Sequence, residues 1–200
     1  MPKPQIKAVI FDLGGVVAHG GYLNFIHHYV KKALTLGGHK KLDALERLVN
    51  QGLITETQFY RDIDKTFDVH FTPKQIHEMV VSKMKADKSL IHFIPKLKKA
   101  KVAMFTNSIG HMAREVMKKR RIPVRKLFTQ VFDSSKLHLI KPDAGAYRFV
   151  LHKLKVKPHE ALMVDDRAAN IRGAQKIGMY GIVYKNSLQF RRAIKKYDII

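Results

Sequence analysis

The sequence predicts an α/β fold: a parallel sheet with helices on both faces, three layers in all, interrupted after its first strand by an all-α insert. Three observations predict it. Short apolar runs ending in polar residues recur at Val9-Ile10-Phe11, Val102-Ala103-Met104-Phe105 and Ala161-Leu162-Met163-Val164. Stretches of helical period, such as 144–154 and 168–177, lie between or after them. One long block, about 22–84, carries helical pattern only.

In chain order, Val9-Ile10-Phe11 is a buried strand running into the turn Asp12-Leu13-Gly14-Gly15. Within the helical block, Leu42, Leu45 and Leu48-Val49 fall on one face. Thr55-Glu56-Thr57-Gln58 opens a helix with a capping box, in which Thr55 accepts from free N–H groups and Gln58 reaches back. Phe59, Ile63 and Phe67 line its buried face. Thr72-Pro73 opens another helix, with proline in the first turn, where a missing N–H costs little. From Ser89 strands and helices alternate. Helices are expected over 90–100, 112–119, 144–154, 168–177 and 188–196. Strands are expected over 102–105, 130–132, 161–164 and 180–184, and Gly178 stops the helix before the last of these. The core is therefore expected over 1–18 and 89–200. The insert, 19–88, should sit over the sheet end where the loops gather.

The 200 residues are 46% hydrophobic and 27% charged, which excludes a disordered or fibrous chain. The absence of cysteine excludes a disulfide scaffold, a thiolate zinc site and a cysteine nucleophile, and fits a cytoplasmic protein. No apolar run is long enough to cross a bilayer, so no membrane partner is expected. The apolar stretch 8–18 is broken by Asp12 and reads as a strand and loop rather than a signal peptide. The net charge of +22 favours anionic partners. Lys118-Lys119-Arg120-Arg121 and Arg191, Arg192, Lys195 and Lys196 form local clusters. They read either as a solvated face or as an anion patch with weak, non-specific affinity for nucleic acid. Neither zinc-finger spacing nor an aromatic RNP run supports a dedicated nucleic-acid module.

Ligands of open parallel sheets bind outside the carboxyl ends of the strands. Three strands here end in polar residues: Asp12, Thr106-Asn107 and Asp165-Asp166. Lys141 precedes Pro142 in a loop ahead of a helix. Singly, each has a plainer role as a turn former, a helix cap or a solvated lysine. Together they place three carboxylates, a hydroxyl, an amide and an ammonium at one edge. A carboxylate can attack phosphorus to give an aspartyl-phosphate. Magnesium held by carboxylates and a carbonyl relieves the repulsion between the two anions. The ammonium and the polar donors balance the phosphoryl oxygens.

Val9-Ile10-Phe11-Asp12-Leu13-Gly14-Gly15-Val16-Val17 resembles the first motif of the haloacid dehalogenase superfamily, and Phe105-Thr106-Asn107-Ser108 its second. Lys141-Pro142-Asp143 with Tyr147 resembles the third. Met163-Val164-Asp165-Asp166 with Asn170, Gly173, Ala174 and Gly178 resembles the fourth. The resemblance covers the whole chain and implies a Rossmann-like core with a small helical cap. In character it is similar to the subgroup of sugar-phosphate phosphatases and the phosphatase domain of soluble epoxide hydrolase.

The resemblance implies a magnesium-dependent phosphohydrolase acting on a small phosphorylated metabolite. Asp12 would be nucleophile and metal ligand, and Gly14 would lend its carbonyl to the metal. Thr106 and Asn107 would hold the phosphoryl oxygens, with Lys141 neutralising them. Asp166 would be a direct metal ligand, Asp165 a ligand directly or through water, and Asn170 a support for their loop. Phosphatases of the family usually carry a second Asp, a general acid and base, where this chain has Gly14. That departure motivates the alternative, a catalytically weak relative whose basic surface binds nucleic acid or an acidic partner. A dehalogenase would use the same Asp on carbon without magnesium, and the paired Asp165-Asp166 argues against it. Tyr22, His27 and His28 lie near the first motif; the two histidines read as surface or packing residues.

Overall fold

The computed structural model describes residues 4–30 and 35–200. Its sheet has five parallel strands in the order β5-β4-β1-β6-β7. These are β1 (Ala8–Phe11), β4 (Lys101–Thr106), β5 (Gln130–Asp133), β6 (Ala161–Asp165) and β7 (Tyr180–Val183). Strand β1 lies centrally, with Ala8 level with Lys101 of β4 and with Ala161 of β6. It reads as an unbroken apolar run because helices cover both faces of the sheet.

Alternate residues along each strand feed two separate cores. Val9, Phe11, Met104, Leu162 and Val164 join one. It also takes α5 (Lys88–Phe93), α6 (Met112–Lys119) and α11 (Ser187–Ile194). Ile10, Ala103, Phe105 and Met163 join the other, with α9 (Ala144–Leu154) and α10 (Ala168–Lys176). The three layers expected from the alternation are present.

Between β1 and α5 lie α1 (Tyr22–Tyr29), α2 (Leu36–Asn50), α3 (Glu56–Phe67) and α4 (Pro73–Lys83). A two-stranded antiparallel ribbon joins their ends. It pairs β2 (Ala18–His19) with β3 (Lys85–Ala86), Ala18 opposite Ala86. Beyond it, Asp87 accepts from Leu90 N (2.8 Å), from the Tyr184 hydroxyl (2.6 Å) and, when that nitrogen carries the proton, from His19 Nε2 (3.1 Å). Burial alone would raise the Asp87 carboxyl, but these hydrogen bonds outweigh it and hold it below the usual range.

Several local expectations change. Thr55 caps α3, accepting from Gln58 N, but the Gln58 amide donates forward to Asp62 instead of reaching back. The reciprocal box forms at Thr72 and Gln75, at the start of α4. The helix expected over 90–100 is α5 followed by a 3₁₀ turn, Ile94–Lys96, because Pro95 has no N–H to extend the ladder. On α2, Leu48 is exposed, whereas Leu42, Glu46, Val49 and Asn50 are buried. Two four-residue helices, α7 (Val124–Leu127) and α8 (Ser134–Leu137), have no clear sequence signal. Among the described residues no helix is long and apolar enough to cross a membrane.

Candidate active site

The carboxyl ends of β1, β4 and β6 deliver the polar residues to one place. Asp12 follows β1 directly, its N–H bonded to the carbonyl of Val164 (2.9 Å). Its Oδ1 accepts from Leu13 N (2.7 Å) and lies 3.0 Å from Lys141 Nζ. No described residue donates to Oδ2, and Asp12 lines a cavity of about 140 Å³.

Lys141 lies beneath that cavity with its side chain wholly buried, its ammonium 2.7 Å from Asp165 Oδ2. Both Asp165 oxygens also accept from Asn170 Nδ2 (3.0 Å each), and Oδ1 accepts from Arg167 N (2.9 Å). Four contacts saturate a carboxylate. The main chain of Lys141 is gripped in turn by the Asn107 side chain, which accepts from Lys141 N (3.0 Å) and donates to Lys141 O (2.9 Å). Asn107, expected to touch the phosphoryl group, spends its side-chain oxygen and one amide hydrogen positioning the lysine. Thr106 and Asn107 both line the cavity, as do Gly14 and Asp166. The Asn170 carbonyl accepts from the Tyr147 hydroxyl (2.6 Å), which anchors the loop after β6.

Burial pushes the Asp12 carboxyl up to about 7; Lys141 offsets part of the rise and the charges of Asp165 and Asp166 add to it. Burial would lower the Lys141 ammonium, but Asp12 and Asp165 outweigh it and raise it above its usual value. Burial and the charge of Asp165 raise Asp166. Three carboxylates crowd one buried ammonium, and the local charge is short of cations. One oxygen each from Asp12, Asp165 and Asp166 lies within 4.8 Å of the others. An all-oxygen, anionic donor set of this kind suits a hard divalent cation such as magnesium. Asp12, Asp166 and the main chain of Gly14 face the cavity; Asp165 is fully buried and does not line it.

A family model described as haloacid dehalogenase-like hydrolase matches residues 6–178. The chain belongs to the haloacid dehalogenase-like hydrolases. Among curated relatives, a phosphorylated carbohydrates phosphatase of Thermotoga maritima is 24% identical, over 90% of this chain and 86% of its own length. Bifunctional epoxide hydrolase 2 of Rattus norvegicus is 22% identical over 96% of this chain, which spans 38% of the rat protein. A haloacid dehalogenase family enzyme of Bacteroides thetaiotaomicron, solved in complex with magnesium and inorganic phosphate, superposes with a TM-score of 0.71. It is 22% identical, and the match covers 90% of this chain and 95% of that one.

In this haloacid dehalogenase-like hydrolase the seven residues expected at the site converge, five of them facing the cavity and Lys141 and Asp165 supporting it from below. Four polar or charged residues outside the four motifs also line the cavity. Tyr22 and Arg167 flank motif residues, whereas Glu46 and Asn50 come from α2. The Tyr22 hydroxyl donates to Glu46 Oε1 (2.9 Å), and Arg167 lies 3.4 Å from Glu46 Oε2. Polar residues at positions i and i+4 on the buried face of a helix were the available signal for Glu46 and Asn50. His27 and His28 line a separate cavity with Asn24 and Lys83.

Proposed function

We propose that the chain is a magnesium-dependent phosphohydrolase that cleaves a small phosphorylated metabolite through an aspartyl-phosphate on Asp12. The observation that carries this reading is the state of Asp12. One carboxylate oxygen is held by Leu13 N and Lys141, and the other has no donor among the described residues, at the wall of a cavity with an oxygen donor set. Attack by Asp12 forms a P–O bond to the carboxylate and breaks the ester P–O bond, releasing an alkoxide that takes a proton from solvent water. Water then attacks phosphorus, releasing phosphate and free Asp12. Lys141 stays an ammonium and offsets the phosphoryl charge. Asp165, Asn170 and Asn107 hold Lys141 in place, and the Thr106 hydroxyl, which donates to the Asn107 carbonyl at 3.3 Å, turns from that long bond to donate to a phosphoryl oxygen. Magnesium, held by Asp12, Asp166 and the Gly14 carbonyl with Asp165 behind them, supplies charge neutralisation when bound. The insert over 19–88 serves as a cap on the core of 1–18 and 89–200. The Thermotoga phosphatase and the magnesium–phosphate complex of the Bacteroides enzyme support the reading.

Hydrolysis of para-nitrophenyl phosphate tests it. Turnover should require magnesium and fall by roughly three orders of magnitude or more in Asp12→Asn, as expected when a nucleophile is removed. Magnesium should also raise the melting temperature of the parent by mass action, and less so in Asp166→Ala. Undiminished turnover in Asp12→Asn would remove the aspartyl-phosphate from the mechanism.

A further inference from the structure

Beyond the motif residues, the cavity lining has its own chemistry. Met84, Ile109, Met112 and Val116 are its apolar part. The polar part is mostly self-satisfied. Arg167, the one cation among the described lining residues, is paired with Glu46 Oε2 at 3.4 Å. Tyr22 occupies Glu46 Oε1. A second phosphate or a carboxylate on the substrate would meet no unpaired cation there, and an amine would meet a carboxylate already engaged.

Two lining residues are exceptions: Ser108, whose hydroxyl is sealed from solvent without a partner among the described residues, and Asn50. Asn50 ends α2 one turn after Glu46, is 9% exposed, lines the cavity, and its amide has no hydrogen-bond partner among the described residues. Its amide atoms are not sealed from the cavity, so with no protein partner the amide is available to a ligand there. A cavity of about 140 Å³ is close to the ~150 Å³ that holds a benzene ring, so the part of the substrate enclosed in it is small. A polyhydric leaving group would press several hydroxyls against methionine, isoleucine and valine with one side-chain amide to receive them.

We infer that the leaving group is a small, uncharged and mainly apolar alcohol bearing one hydrogen-bonding group for Asn50, and that Asn50 determines specificity. The inference rests on Asp12 marking the phosphoryl end of the cavity. A site built to pair one polar group discriminates against analogues lacking it.

Calorimetry with non-hydrolysable phosphonates, in the presence of magnesium, tests this without relying on turnover. The probes are butylphosphonate, 3-oxobutylphosphonate, 2,3,4-trihydroxybutylphosphonate and butane-1,4-bisphosphonate. The 3-oxobutyl compound should bind tightest and the butyl compound next, with the trihydroxy compound and the bisphosphonate weakest. In Asn50→Leu, 3-oxobutylphosphonate should lose about tenfold in affinity and butylphosphonate should lose nothing. The order in the parent protein stands as evidence even if the variant does not fold. Tightest binding by the trihydroxy compound or the bisphosphonate, or an unchanged order in folded Asn50→Leu, would overturn the inference alone. Failure of all four to bind would overturn the phosphoryl site, and this inference with it.

Discussion

Gly14 and Gly15 are neighbours in the turn after Asp12, yet different physics governs each. Gly15 has φ +71°, and a Cβ there would overlap the Asp166 carboxylate. Its lack of a side chain is what lets Asp166 approach the turn. Gly14 is not in the left-handed region, and a Cβ built on it meets no heavy atom within 4 Å. Gly14→Asp should therefore fold without steric strain, its cost coming from charge rather than shape because it adds a fourth carboxylate to a site short of cations. Gly15→Ala should lose about 1–3 kcal/mol. The difference makes Gly14 a usable probe of proton donation. Tyr22, a hydroxyl of the insert that lines the cavity, already donates to Glu46. Rates for the parent should then rise steeply with the acidity of the leaving group, aryl phosphates far outpacing alkyl phosphates of similar size. Gly14→Asp should flatten that dependence by accelerating the alkyl substrates, up to the ~10²–10⁴-fold of general acid catalysis. An equally shallow dependence in both folded proteins would mean that another group already supplies the proton. The site motifs were legible in the sequence because strand ends are set by local pattern, and all seven predicted residues lie together. Glu46 and Asn50 carried only their helical spacing as a signal, because it is the packing of α2 against the core that brings them in.

Between elements, one of the contacts that couple the insert to the core is titratable. His77 of α4 sits between Glu56 of α3 (Nδ1 to Oε1, 2.5 Å) and Glu115 of α6 (Nε2 to Oε2, 2.8 Å). Burial pushes the imidazole down, but the hydrogen bonds and charges of the two carboxylates outweigh it and raise it above its ordinary value. A raised histidine stabilises the fold fully below its unfolded value of about 6.5. That contribution is lost as pH rises through the folded value. The clamp is partly open to solvent, with 24% of the His77 side chain exposed, so its worth is about 0.2–1 kcal/mol. His77→Gln should melt below the parent at pH 6 and approach it at pH 9. A gap that is constant across that range would show that packing, not charge, accounts for the loss. Element types were legible where amphipathic period ran long enough, as in α3, α9 and α10. Finer choices were not. Gln58 had partners within reach on both sides, Thr55 before it and Asp62 after it, and the sequence carries no rule for its rotamer. Helices α7 and α8 are too short to show a period.

At the scale of the whole molecule, a chain of net charge +22 gathers three carboxylates at the end of its sheet. The surrounding field attracts phosphorylated substrates and polyanions alike, so the surface and the site must be separated by experiment. The cluster at the end of α6 allows it, because its members differ in what they hold. Arg120 donates to the carbonyls of Val81 (3.0 Å) and Ser82 (2.7 Å), closing the end of α4 against the core. Reversing it would damage the fold. Lys118, Lys119 and Arg121 are exposed, and none of them lines the active-site cavity. The triple variant Lys118→Glu, Lys119→Glu, Arg121→Glu should therefore keep its turnover of para-nitrophenyl phosphate within about twofold, while its melting temperature falls slightly, because Lys118 and Lys119 sit in the last turn of α6 where the helix dipole favours cations. Its affinity for a DNA oligomer should fall. The slope of log affinity against log salt should flatten by about 0.9 for each DNA phosphate that the variant no longer neutralises. If turnover fell in step with DNA affinity, the two functions would share a surface, and the basic cluster would belong to substrate capture rather than to general polyanion attraction.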